Sequence, residues 1–131
     1  MSEENVDRFL EGVAAFNRGD VERWLAIYHP DAVVEPQIAA VEGDYSGLDD
    51  LRRLFVDMAD SWEVFELHFS DLRDLGDRVL ALGTFRSIGK ESGVEQEISA
   101  AFLVTYRDGL CTHMKDYGEW AQALEAAGLR E

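Results

Sequence analysis

The chain has 131 residues, of which 47% are hydrophobic and 11% aromatic, with two prolines and one cysteine. That length fits a single domain over residues 1–131, whose folding buries about two-thirds of the unfolded surface. Twelve Lys and Arg against 27 Asp and Glu give a net charge of −15, which repels phosphate backbones and anionic lipid and argues against nucleic-acid or membrane partners.

Cys111 has no second cysteine with which to form an intramolecular disulfide, and no C-x-x-C spacing points to a zinc ribbon. No apolar run approaches the roughly 20 residues that cross a bilayer. The start, Met1-Ser2-Glu3-Glu4-Asn5, is acidic where a signal peptide is basic and then apolar. A reduced, cytoplasmic setting is the expectation.

Val6, Phe9, Leu10, Val13 and Phe16 recur at helical steps and predict an opening helix with one apolar stripe. Gly19 suits its left-handed end, and Asp20 suits the N-cap of a second helix presenting Trp24, Leu25, Ile27 and Tyr28. His29-Pro30-Asp31 is expected to stop that helix, with a short strand at Ala32-Val33-Val34-Glu35 closed by Pro36. A turn-rich loop, Glu42 to Gly47, leads to a third helix carrying Leu48, Leu51, Leu54, Phe55 and Met58. Ser46 with Asp49 is its weakened capping box.

From Trp62 the period becomes two. Val64, Glu66, His68 and Ser70 alternate with Phe65, Leu67, Phe69 and Asp71. Turns at Gly76-Asp77, Gly89 to Gly93 and Arg107-Asp108-Gly109 separate further strands at 78–85, 97–106 and 110–117. Short turns between successive strands predict an antiparallel meander. A last helix, 119–127, ends at Gly128, completing an α+β order of elements.

Four segments of this order, AFNRGDVERWLAIYHPDAVVEP, YSGLDDLRRLFVDM, DLGDRVLALGTFRSIGKESGVE and DYGEWAQALEAAGL, resemble the SnoaL-like branch of the nuclear transport factor 2-like superfamily. The match runs from about Val6 to Leu129. It implies a cone in which helices cap the concave face of a curved antiparallel sheet and enclose an apolar pocket. It also implies a homodimer through the sheet, and apolar residues on both faces of the strands at 62–72 and 79–85 point the same way.

The fold hosts many activities, so function rests on residues. Gly12, Pro36 and Phe102 stand where ketosteroid isomerases carry a tyrosine, an aspartate base and a protonated aspartate, so that mechanism is not expected. The Arg-x-Asp of limonene-epoxide hydrolases falls near Gly83 and Phe85 and is also lost. Asp116, in Lys115-Asp116-Tyr117, keeps the last-strand aspartate. Strand alternation puts it on one face with Thr112 and Met114. If that face lines the cone, apolar neighbours desolvate it and make it a usable acid or base; if not, it sits at the rim, exposed or paired with a basic residue. Tyr28 is its expected hydroxyl companion. Trp24, Trp62, Phe85, Phe102 and Met114 are the expected apolar walls, and Trp24 also suits plain core packing.

Other groups rank lower. Glu35 alternates away from Pro36, and a one-residue slip of register would turn it inward. His68 shares its face with Glu66 and Ser70, which reads as the outer side. Arg86 reads as a solvated strand end, and Cys111 with His113 as an incidental outer pair. The three histidines lie on separate elements, so no metal ligand set is expected. Gly43 to Gly47 fits no phosphate-binding spacing, so no flavin, nicotinamide or other cofactor is expected. Three readings stay open. One is a cofactor-independent enzyme acting on an apolar, oxygenated small molecule by isomerisation, cyclisation, dehydration or epoxide opening. The second is a binder of such a molecule. The third is a structural dimer whose pocket is filled by its own side chains.

Overall fold

The opening apolar stripe forms α1 (Ser2–Asn17) in a computed structural model that describes residues 2–37 and 43–129. Val6, Phe9, Val13 and Phe16 face the core, while Leu10 of the same stripe is 44% exposed. Asp20 caps α2 (Val21–Leu25) by accepting the Arg23 N–H at 3.1 Å, as its position predicts.

The second helix is shorter than its spacing suggests. Tyr28 already opens β1 (Tyr28–Glu35), and the expected helix stop, His29-Pro30-Asp31, lies inside that strand. A four-residue step from Trp24 to Tyr28 suits a helix, but a neighbouring strand wins. Tyr28 pairs with Cys111, and the Cys111 N–H donates to the Ile27 carbonyl at 2.9 Å.

A two-residue β2 (Tyr45–Ser46) precedes α3 (Leu48–Ser61), which buries Leu51, Leu54, Phe55 and Met58. Glu42, where the expected loop begins, lies outside the described residues. Gly47 is the N-cap, and Asp50 rather than Asp49 reaches back to the Ser46 N–H at 3.0 Å. The meander follows as β3 (Trp62–Asp74), β4 (Arg78–Gly89), β5 (Glu95–Arg107) and β6 (Leu110–Asp116), and α4 (Trp120–Ala126) closes the described chain.

The strands form one open sheet in the order β2-β1-β6-β5-β4-β3. The meander is antiparallel, but β1 runs parallel to β6, so the sheet is mixed where a wholly antiparallel one was expected. The physical reason is the connection. β1 joins the meander through α3 and not through a hairpin, so no tight turn fixes its direction.

The inner face meets α1, α2 and α3 around a core containing Phe9, Phe16, Trp24, Leu51, Phe55, Phe85 and Phe102. The outer face carries a second apolar cluster, in which Ala123, Leu124 and Ala127 of the C-terminal helix region cover Leu80, Leu82, Ala101 and Leu103. The dimer expectation rested partly on apolar side chains without a cover; at these four positions the cover is the chain's own helix. Around them the outer face is ionic, with Arg86 between Glu66 (3.0 Å) and Glu95 (2.7 Å), and Arg73 on Asp71.

A bulge at Ser70 corrects the simple alternation of β3. Phe69 pairs with Gly83 and Asp71 with Leu82, so Asp71 turns to the outer face and Leu72 turns into the core.

The free edge of β3 is closed from α1. The Asn17 side chain donates to the Leu67 carbonyl and accepts the Leu67 N–H, both at 2.8 Å. Asn17→Ala is expected to leave both backbone groups without that partner and to lower stability by about 2 kcal/mol. Urea unfolding with an unchanged m-value would measure it. A loss below about 0.5 kcal/mol would mean that water replaces the amide at little cost.

Candidate active site

Helix stripes and strand alternation bring apolar side chains from eight elements to one apolar, partly open cavity of about 60 Å³. α1 supplies Phe9, Gly12, Val13 and Phe16, and α2 supplies Trp24. Leu54 and Met58 come from α3, and the sheet adds Tyr28, Val34, Leu67, Phe85, Phe102 and Met114. Asp116 is the acidic group at the wall whose carboxylate is not tied to a basic side chain. Gly12, Pro36 and Phe102, where the resemblance implies lost catalytic groups, all border the cavity. A methyl at Gly12 would meet Ile27 Cδ1, the end of a flexible side chain that would have to swing aside.

Aromatic packing explains the small volume. Phe102 sits edge-on to Phe9 and Phe69, with ring centroids 6.4 and 5.2 Å away. Phe16 packs on Trp24, Phe55 and Phe65 at 5.4 to 5.9 Å. The cavity is well below the roughly 300–1,000 Å³ usual for drug-sized ligands. A larger depression, of about 320 Å³, lies among His29, Asp31, Asp77, Arg107 and Thr112, but it is open and of mixed charge.

Asp116 is 8% exposed. Its Oδ1 accepts two backbone N–H bonds, from Gly118 at 2.8 Å and Ala101 at 3.2 Å. Its Oδ2 has no hydrogen-bond partner among the described residues. Burial pushes the carboxyl above the ordinary aspartate range, and the two N–H groups pull it partway back. Neither donor was foreseen, because Gly118 lies in a turn and Ala101 on a neighbouring strand.

Of the expected wall, Trp24, Tyr28, Phe85, Phe102 and Met114 border the cavity. Trp62 does not: its ring packs edge-on against Phe85 at 5.4 Å without bordering the cavity. Tyr28 is 3% exposed, and its hydroxyl reaches Met114 Sδ at 3.8 Å with no hydrogen bond to Asp116. Burial raises its phenol well above the usual range, with Cys111 and Tyr106 adding to the shift. Thr112 leaves the expected face because a bulge separates the Thr105–His113 and Tyr106–Cys111 pairs, and its hydroxyl donates to the Thr105 carbonyl at 3.3 Å.

The same bulge turns Cys111 into the core, against the outer placement expected for it, and burial pushes its thiol up to about 12. His113 stays on the outer face with Lys115, where both meet the Glu35 carboxylate. Glu35 therefore borders the cavity without presenting its carboxylate to it. His68 faces outward beside Glu66, as its strand companions suggested. Among the described residues, no group of three His, Cys, Asp or Glu could hold a metal ion. Nor is any helix among them long and apolar enough to cross a membrane.

The Tyr106 hydroxyl is buried without a hydrogen-bond partner among the described residues. Desolvation raises its pKa, as does nearby Cys111. Tyr106→Phe is therefore expected to leave stability unchanged or raise it by up to about 1 kcal/mol. A loss above about 1 kcal/mol on thermal unfolding would reveal a partner for that hydroxyl.

Residues 6–114 match the family described as SnoaL-like domain. No curated protein matches the chain in sequence. Among solved structures, an NTF2-like protein of unknown function from Burkholderia pseudomallei is 20% identical, with 93% of this chain and 95% of that chain covered and a TM-score of 0.81. TerC co-crystallised with polyporic acid is 22% identical, with 95% and 98% covered and a TM-score of 0.78. A putative polyketide cyclase from Xanthomonas campestris is 20% identical, with 95% and 97% covered and a TM-score of 0.75. At these identities the likeness establishes the fold alone.

Proposed function

Because this chain belongs to the SnoaL-like domain family, we propose that it is a cofactor-independent enzyme acting by acid/base chemistry on an apolar, oxygenated small molecule. The observation that carries the reading is Asp116, a desolvated carboxyl at the wall of an apolar cavity with one oxygen held by backbone N–H groups and the other unpartnered. A carboxylate in this state takes a proton from a carbon beside a carbonyl and returns it elsewhere on the same molecule. No net reactant is consumed, which suits isomerisation, cyclisation or dehydration. Tyr28 is the companion group. Its hydroxyl lies beside the Trp24 side chain and donates to the Met114 thioether sulfur, a weak acceptor that a substrate oxygen would displace. Among solved structures of the same fold, one was co-crystallised with polyporic acid and another is described as a putative polyketide cyclase, which fits a small-molecule role.

A second reading, a binder that does not transform its ligand, draws on one observation. The Glu35 carboxylate is turned to His113 and Lys115 and away from the cavity, and burial shifts the Tyr28 phenol upward, so neither stands beside Asp116 as a second acid/base group. Asp116→Asn separates the two readings. Loss of turnover with retained ligand binding supports the enzyme, whereas altered binding in a protein without turnover supports the binder.

A further inference from the structure

The search for the ligand narrows on volume. An engineered apolar cavity of about 150 Å³ admits benzene, and one water takes about 30 Å³. The cavity here, about 60 Å³, is less than half of the first. Its walls do not yield equally. Phe102, Phe16 and Trp24 are wedged edge-on among other rings, so moving one unpacks its neighbours. On the α1 side, Ile27 fills the space beside Gly12. Met58 and Met114 are the flexible members, and their unbranched side chains change rotamer at low cost. Polar features are equally few: Asp116 Oδ2 and the Tyr28 hydroxyl.

We infer that the site takes small ketones and alcohols of at most one ring, with the oxygen directed to Asp116 or Tyr28, and that it rejects fused-ring molecules. The inference rests on the reading of this cavity as the ligand site and adds the substrate's size and class to it. Growth of the cavity by movement of the two methionines admits a single small ring. A second fused ring would have to displace Phe102 or Phe16 from its aromatic neighbours.

The test is titration of full-length protein, labelled at its methionine methyl groups, with acetone, cyclopent-2-enone, 1-tetralone and a four-ring steroid ketone. The first two should shift the Met58 and Met114 resonances saturably. 1-Tetralone should bind at least about tenfold more weakly than cyclopent-2-enone, and the steroid should cause no shift at those methyls. Phe102→Ala, or Met58→Ala if the first fails to fold, should enlarge the cavity and admit 1-tetralone. A folded variant that still rejects it would overturn the size argument. So would tetralone or steroid binding the unaltered protein as tightly as cyclopent-2-enone, and in that case the cavity would still stand as the ligand site. Absence of any shift at Met58 and Met114 with all four compounds would overturn both that reading and this inference.

Discussion

Gly83→Ala should lower the unfolding free energy by about 3 kcal/mol or more, enough to remove much of the stability of a chain this size. Gly83 lies opposite the Ser70 bulge, where β3 bends against β4. A Cβ there would overlap the His68 carbonyl oxygen and stand 2.6 Å from Phe69 Cα. Both obstacles are backbone, so no rotamer change relieves them. The strands would have to part, and the Gly83 carbonyl would then lose the bond it accepts from Trp120 Nε1 at 3.0 Å. Gly93→Ala is the control. It has open space but a φ of +67°, so it should cost only about 1 kcal/mol. Equal losses in chemical denaturation would mean that the sheet tolerates a wider spacing at Gly83.

Asp116→Asn carries the largest expected effect on activity, a fall of about 10²–10⁴-fold in turnover. Asparagine keeps the shape, and its carbonyl oxygen can accept the Ala101 and Gly118 N–H groups that now bind Oδ1. What disappears is the titrating proton. The same variant makes a prediction about stability. Burial raises the folded pKa of Asp116 above its unfolded value, so between the two the native state keeps a proton that the unfolded chain has lost. The group's contribution is complete below the unfolded value near ~3.9 and is lost as pH rises through the folded one. Asparagine does not titrate, so the variant's stability relative to the parent should increase from acidic to neutral pH. A constant difference across that range would show that Asp116 ionises as freely in the fold as in the unfolded chain.

Much of this arrangement is legible in the sequence because local periodicity and burial agree. The stripes of α1 and α3, the Asp20 cap and the meander follow from spacing, and alternation back from Asp116 brings Met114 to the cavity. The failures share a cause, which is pairing between distant strands. The bulges at Ser70 and near Thr112 reverse the faces of Asp71, Thr112 and Cys111, and no residue type in either stretch announces them. Tyr28 belongs to a strand because Cys111 pairs with it from 83 positions away. Trp62 reads as a wall residue by composition, yet it packs edge-on against Phe85 and does not border the cavity. The cover over Leu80, Leu82, Ala101 and Leu103 was equally hidden, since a strand pattern does not say which helix lies across it.

The central claim is that Asp116 is a desolvated acid at the wall of a ligand cavity, and the carbon NMR titration of its carboxyl group tests it most directly. With Asp116→Asn identifying the signal, the account predicts an inflection clearly above the ~3.9 of a free aspartate, rising further when cyclopent-2-enone fills the cavity. An inflection at or below that value, unmoved by the ketone, would contradict it.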